Sequence, residues 1–154
     1  MRDPVEAYIA LGANLGEARQ TLLDAIQALG RMGQVTLLRA SSLYRTAPVD
    51  SSGPDYINAV VQVQTTLSAP DLLAGLQAQE LAAGRLRPYR NAPRTLDLDI
   101  LSYGEASIDS PYLTLPHPRM QDRAFVLVPL AEIAPHRVSE QALQAVADQE
   151  IAPL

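Results

Sequence analysis

Two aspartates two positions apart are the residues in this sequence best suited to chemistry. Asp97 and Asp99 lie in an apolar segment, residues 94–101, that has the composition of a β-strand. Residues two apart in a strand face the same side, about 6.5–7 Å from each other. Such a carboxylate pair can bind a hard cation such as Mg²⁺, which takes oxygen ligands and keeps waters and substrate phosphates in its shell. The alternatives are a pair of like charges that raises one pKa, or the solvated face of an amphipathic strand.

Four arginines lie in the segment immediately before the aspartates, at positions Arg85, Arg87, Arg90 and Arg94. A glycine and two prolines interrupt this segment, which predicts an irregular loop. Guanidinium groups donate hydrogen bonds in a planar fork that matches phosphate oxygens. The pattern therefore favours a phosphate-binding loop beside the aspartates. The alternative is a solvated basic loop that pairs with acidic neighbours.

The composition excludes several kinds of active site. The chain has no Cys, and all 12 of its basic residues are Arg. Thiol nucleophiles, Walker-type phosphate loops, Schiff-base lysines and protein-kinase lysines are therefore impossible. The only histidines are His117 and His136, which is too few for a zinc ion held by three His. A net charge of -5 makes general attraction to nucleic acid unfavourable, so we expect no nucleic-acid partner.

Apolar patterning predicts the elements that must position these residues. The run that ends at Gly12 predicts a strand, and apolar residues at helical spacing from 15 to 29 predict a helix. Residues 35–45 and 58–66 predict two strands paired across a proline-rich loop. A second helix begins near Asp71, and residues 94–101 predict the next strand.

The order strand, helix, strand, strand, helix, strand predicts an α+β fold. Its arrangement is a ferredoxin-like antiparallel sheet with helices packed on it. Apolar spacing over residues 125–134 and 140–147 predicts additional short helices near the carboxyl end. A chain of 154 residues, 47% hydrophobic, predicts one domain spanning residues 1–154. No signal-peptide pattern or membrane-spanning run is evident, so we expect no membrane partner and a cytoplasmic location.

Five segments together make the chain resemble the family of 6-hydroxymethyl-7,8-dihydropterin pyrophosphokinases of folate biosynthesis. They are YIALGANLG at 8–16, SSLYRTAP at 41–48, DYINAV at 55–60, PRTLDLDI at 93–100, and LPHPRM with RAF at 115–120 and 123–125. The resemblance covers nearly the whole chain. It implies a monomer that transfers pyrophosphate from ATP to the hydroxymethyl group of the pterin and releases AMP, using two Mg²⁺ ions.

The resemblance also implies a role for particular side chains. Asp97 and Asp99 would hold the metal ions, and Arg85 and Arg94 would grip the phosphates as catalytic residues. The implied nucleotide-binding residues are Gln77, Glu80, Arg85, Arg94, Ile100, Thr114, His117 and Arg123. The implied pterin-binding residues are Thr46, Pro48, Val49, Tyr56, Asn58, Asp97 and Phe125. Tyr56 and Phe125 would stack on the flat bicycle, and Asn58 would read its hydrogen-bonding edge.

The arginine loop departs from the family pattern. It is about one residue shorter, has no Trp near Asn91 and no Lys near Pro88, so we expect closure over the pterin to differ. Two rival functions also remain open from the residues alone. A non-catalytic binding module of the same fold would not need the aspartates, and a metal-dependent nuclease would use them on nucleic acid.

Overall fold

The structure, a computed structural model, describes residues 3–14, 16–47, 54–83 and 96–154. Its strands are β1 (Val5–Ala13), β2 (Val35–Ala40), β3 (Tyr44–Thr46), β4 (Tyr56–Thr65), β5 (Asp97–Tyr103), β6 (Ile108–Asp109), β7 (Thr114–Leu115) and β8 (Ile151–Pro153). Its helices are α1 (Ala18–Gly30), α2 (Ala69–Ala82), α3 (Ala124–Ile133) and α4 (Glu140–Ala145). Within these ranges, no helix is both long enough and apolar enough to cross a membrane.

The main sheet is antiparallel, with the strand order β5-β1-β4-β3-β8, and β2 pairs with β4 alongside β3. β1 is far from β4 and β5 in the chain, yet it lies between these two strands in the sheet. This is the order that results when two strand-helix-strand units interleave. The α+β, ferredoxin-like fold predicted from the sequence is confirmed.

The two faces of the sheet carry different layers. On one face, α1 and α2 pack on the alternate positions of β1, β4 and β5, and these positions form the larger core. On the other face, α3 packs on Tyr8, Ala10, Val60 and Leu101. The second layer covers only part of that face, and the part that it leaves open is a cavity lined by Gly12, Asn58, Asp97 and Asp99. The open part is where β1, β4 and β5 present small and polar residues.

The strand predicted over residues 35–45 is two strands in the structure. β2 and β3 both pair with β4, but Ser41 interrupts them. The backbone N–H of Ser41 donates to Val60 O at 2.9 Å, and the N–H of Val60 donates to Ser41 Oγ at 3.0 Å. The serine hydroxyl thus takes the place of a backbone acceptor. The chain can change direction here while the buried N–H of Val60 keeps a hydrogen-bond partner.

Glu132, near the end of α3, ties that helix to the interruption between β2 and β3. Its carboxylate accepts hydrogen bonds from the backbone N–H of Ser42 at 3.0 Å, from Ser42 Oγ at 2.9 Å and from Tyr44 Oη at 2.5 Å. Burial acts to raise the pKa of Glu132, but these hydrogen bonds outweigh it and the pKa is lowered. Burial and the nearby carboxylate raise the pKa of Tyr44 to about 12.

We expect Glu132→Gln to lower the free energy of unfolding near neutral pH by about 0.5–1.5 kcal/mol, because an amide cannot accept all of these bonds and water competes for them at this exposed residue. A folded-state pKa below the ordinary 4.5 means that the carboxylate stabilises the fold above that pH. The difference between wild type and variant should therefore shrink as the pH falls below 4.5. Urea unfolding at several pH values measures it, with Glu6→Gln as the exposed control. A difference that does not change with pH would contradict this account.

Candidate active site

A cavity of about 680 Å³ opens on the α3 face of the sheet, beside the amino end of β5. A volume of this size accommodates a drug-sized molecule. Seven residues singled out from the sequence line it: Thr46, Tyr56, Asn58, Asp97, Asp99, Arg123 and Phe125. They come from the strands β3, β4 and β5 and from the start of α3. The fold rather than the local sequence therefore brings them together.

The aspartate pair lies at one side of this cavity. On β5, Leu98 and Ile100 are buried in the core beneath the sheet, whereas Asp97 is half-buried and Asp99 is exposed, and both aspartates line the cavity. The alternation predicted from the spacing is therefore what the structure shows. The backbone N–H of Leu98 donates to Glu80 Oε2 at 2.8 Å, and this contact fixes β5 against α2 between the two aspartates.

The floor of the cavity is β1, and its residues there are small. Gly12 pairs with Asp97 on one side and with Asn58 on the other, while Ala10 pairs with Asp99. A Cβ atom at Gly12 would lie 3.0 Å from Asn58 Oδ1, which is tighter than ordinary packing, and 4.0 Å from Tyr56 Cδ1. Glycine at this position therefore leaves a shallow trough between the aspartate pair and the amide of Asn58.

Asn58 is buried and held in one orientation. Its Nδ2 donates to Thr46 Oγ1 at 2.7 Å, and both residues are more than nine-tenths buried. The amide oxygen therefore lies on the side nearer to Gly12, where it can accept a hydrogen bond from a ligand in the trough. A buried amide that is fixed by a second side chain is suited to recognising the polar edge of a flat heterocycle.

Arg123 and Phe125 stand at the start of α3. The guanidinium carbon of Arg123 lies 5.3 Å from the centre of the Phe125 ring, which is within the range of a cation–π contact. Both side chains line the cavity. The aromatic ring offers a stacking surface, and the guanidinium offers donors for an anion, so this corner suits a ligand that is flat at one end and charged at the other.

His117 lies close to the aspartate pair, just outside the cavity lining. Its backbone N–H donates to Leu101 O at 2.9 Å, and its Nδ1 accepts from the backbone N–H of Arg119 at 3.2 Å. Burial lowers the pKa of His117, and the nearby Arg123 and Arg119 lower it further against the opposing effect of Asp99. The ring is therefore neutral near pH 7, with its proton assigned to Nε2, which can donate to an oxygen ligand.

Other residues predicted for the nucleotide site lie away from the cavity lining. Gln77 is exposed on α2, Glu80 bonds to Leu98 N, Ile100 is buried in the core and Thr114 is half-buried on β7. Four further predictions, Arg85, Arg94, Pro48 and Val49, fall outside the described residues. The structure therefore brings the aspartate pair together with Thr46, Tyr56, Asn58 and Phe125, which were predicted to contact the pterin. The predicted phosphate-binding loop lies outside the described residues.

Several cavity residues were not predicted from the sequence. They are Ala10, Leu11, Gly12, Ala47, Arg119, Asp122, Ala124, Gln149 and Glu150. Arg119 could have been found, because it lies in the same motif as His117. Gln149 and Glu150 gave no signal, since they follow α4 in a polar segment with no periodicity. Their position depends on the pairing of β8 with β3, which brings the end of the chain to the cavity.

The comparisons with known proteins identify the family. The family described as 7,8-dihydro-6-hydroxymethylpterin-pyrophosphokinase (HPPK) matches residues 8–135. The chain is 47% identical over 129 residues to a 2-amino-4-hydroxy-6-hydroxymethyldihydropteridine pyrophosphokinase of Pseudomonas aeruginosa, with 83% of this chain and 80% of that protein covered. It is 42% identical over 145 residues to the enzyme of the same name from Bacillus subtilis, with 94% and 86% covered.

A solved structure has the same fold. Plasmodium falciparum HPPK-DHPS superimposes with a TM-score of 0.71 over 88% of this chain, at 15% identity. This chain spans only 43% of that structure's length, so the likeness concerns one part of a longer protein. Since a family model matches most of the chain and two relatives above 40% identity carry the same name, the chain belongs to the 7,8-dihydro-6-hydroxymethylpterin pyrophosphokinase family, ATP-dependent transferases of folate biosynthesis.

Proposed function

We propose that the cavity on the α3 face is where pyrophosphate passes from ATP to the hydroxymethyl group of 6-hydroxymethyl-7,8-dihydropterin, with release of AMP. One observation carries this assignment: a pair of adjacent carboxylates and a fixed amide recognition group share one cavity, separated only by the trough at Gly12. In the reaction, the pterin oxygen bonds to the β-phosphorus and the bond from that phosphorus to the α-phosphate oxygen breaks.

The donor set suits magnesium. Asp97 and Asp99 supply hard oxygen ligands on the same face of one strand, and two carboxylates are a usual protein contribution to a site that substrate phosphates complete. Among the described residues, no group of three or more His, Cys, Asp or Glu is placed to hold a metal ion. We propose two Mg²⁺ ions at the aspartate pair, whose chemistry is to offset phosphate charge when they are bound.

The positive and neutral donors around the aspartates have complementary roles. Arg123 places a guanidinium in the cavity, and His117 offers a neutral N–H nearby. Both groups can donate hydrogen bonds to phosphate oxygens. Arg85 and Arg94, by resemblance to the family, would bind the same phosphates from the loop before β5. We also propose that Gln77, Glu80, Ile100 and Thr114 contact the nucleotide. Reactions of this kind depend mainly on positioning and electrostatic stabilisation.

The pterin would bind over the trough. Phe125 and Tyr56 supply aromatic surfaces, and Asn58 accepts from the heterocycle's N–H edge while Thr46 holds the amide. Pro48 and Val49 would add backbone contacts, as the family resemblance implies. The hydroxymethyl group would then point toward Asp97, because that residue is the cross-strand neighbour of Gly12. We further propose that residues 1–154 form one domain and that the enzyme acts as a monomer in the cytoplasm.

Product analysis tests this function. With ATP, Mg²⁺ and 6-hydroxymethyl-7,8-dihydropterin, the enzyme should release one AMP for each pterin consumed, as measured by liquid chromatography. 6-Methyl-7,8-dihydropterin is the matched control, because it retains the ring and lacks the attacking hydroxyl. It should compete for the site and give no AMP. Release of ADP, or equal AMP release with the methyl compound, would contradict the proposal, and so would cleavage of DNA or RNA with Mg²⁺ alone.

A further inference from the structure

The residues after α4 lie beyond the part of the chain that the family matches, yet they form one wall of the cavity. The family match ends at residue 135, whereas Gln149 and Glu150 line the cavity. This segment is held in place at two points. Val146 is buried against Ala124 and Leu127 of α3, and the backbone N–H of Gln149 donates to Val146 O at 3.0 Å. Gln149 is therefore placed by the fold, although it is an exposed residue.

The side chain of Gln149 bridges the backbone on both sides of Arg123. Its Nε2 donates to Asp122 O at 2.9 Å, and its Oε1 accepts from the backbone N–H of Ala124 at 2.9 Å. Both ends of one amide are thus used on two peptide groups that flank a single residue. The N-cap residue of α3 is Arg123, and its side chain makes no capping hydrogen bond. Gln149 therefore supplies an acceptor that the start of this helix would otherwise lack.

The same short segment also touches the opposite side of the pterin site. Two residues after Gln149, Ile151 on β8 pairs with Thr46 on β3, and Thr46 holds the amide of Asn58. Residues 149–151 therefore connect the corner formed by Arg123 and Phe125 to the recognition group at Asn58. The width of the cavity between these two sides depends on how this connection is held.

We propose that Gln149 is a positioning residue for the pterin. By fixing the backbone around Arg123, it sets the place of the Phe125 ring relative to the amide of Asn58, and hence the gap into which a flat bicyclic substrate fits. This inference rests on the proposed function of the cavity. In this proposal the carboxyl-terminal segment contributes to affinity for the pterin. Gln149 acts through its hydrogen bonds to the backbone and does not contact the reacting atoms.

Gln149→Met tests this role, because methionine has a similar length and makes neither hydrogen bond. The KM for the pterin should rise by about fivefold to tenfold, the range that loss of one net hydrogen bond gives, while kcat stays within about twofold. Gln141→Met, at an exposed position on α4 and outside the cavity lining, is the matched control and should leave both constants unchanged. Gln149→Ala should resemble Gln149→Met, since the hydrogen bonds rather than the volume carry the effect.

A purely structural role would give a different result. Partial unfolding would lower the fraction of active enzyme, so kcat would fall in proportion while the pterin KM stayed at its wild-type value. That result, or unchanged constants in an active Gln149→Met enzyme, would overturn the inference. Failure of the wild-type enzyme to release AMP with the pterin would instead refute the proposed function, so the two failures are distinguishable.

Discussion

Asp97→Asn and Asp99→Asn should each reduce kcat by about 10²-fold to 10³-fold, because removal of one group that stabilises charge in a preorganised site commonly costs that much. Asparagine keeps the shape of the side chain and loses the negative charge, so the site loses a ligand suited to a hard cation. AMP release at saturating ATP, pterin and Mg²⁺ measures the effect. Both residues line the same cavity as the groups that we propose bind the pterin, and we therefore expect the two variants to behave alike.

The control for these variants is Asp109→Asn, an exposed aspartate on β6. It changes the net charge by the same amount and lies outside the cavity lining, so its kcat should match that of the wild type. Thermal unfolding of all three variants separates loss of chemistry from loss of fold. Turnover within about tenfold of the wild type in either active-site variant would reject a metal-binding role for the pair, since the expected loss is far larger.

Asn58→Ala should raise the KM for the pterin by about 100-fold, because a site built to hydrogen-bond a polar edge loses strongly when that group is removed. The binding of an ATP analogue should change by less than about twofold, since Asn58 lies across Gly12 from the aspartates. Initial-rate kinetics at saturating ATP gives the pterin KM, and titration calorimetry gives the affinity for the ATP analogue. Thr46→Val should have a smaller effect in the same direction, because it releases the amide without deleting it.

Gln64→Ala is the control for Asn58, because it removes an exposed amide from the same strand at a position away from the cavity. Its pterin KM should be that of the wild type. If Asn58→Ala weakened the ATP analogue as much as the pterin, the amide would serve the nucleotide or the fold as a whole. The assignment of the trough to the pterin would then be wrong.

Much of the fold could be predicted from the sequence, because the patterns that specify it are local. The apolar run up to Gly12, the helical spacing of Leu22 and Leu29, and the alternation around Asp97 each report which face of an element is buried, and the structure buries those faces. The pairing of β3 with β4 followed from the loop between them. The placement of Asp97 and Asp99 on one side followed from the strand period alone.

The parts that were not predicted depend on contacts between distant residues. The break at Ser41 could not be foreseen, because it depends on a hydrogen bond that the backbone N–H of Val60, 19 positions away, donates to Ser41 Oγ. The strands β6, β7 and β8 are two or three residues long, too short for a period of two to be visible. Gln149 was not predicted because its hydrogen-bond partners at the start of α3 are about 25 positions earlier in the chain.

The trough at Gly12 limits how the binding site can change by mutation. Its base is main chain that carries only a hydrogen atom at that position, so no substitution can remove atoms there, and the smallest addition meets Asn58 Oδ1 at 3.0 Å. Every replacement makes the site shallower. Variants selected to admit a bulkier pterin analogue, or to escape an inhibitor that fills the trough, should therefore arise at the rim, where Ala47 and Glu150 border the opening, and leave the glycine unaltered.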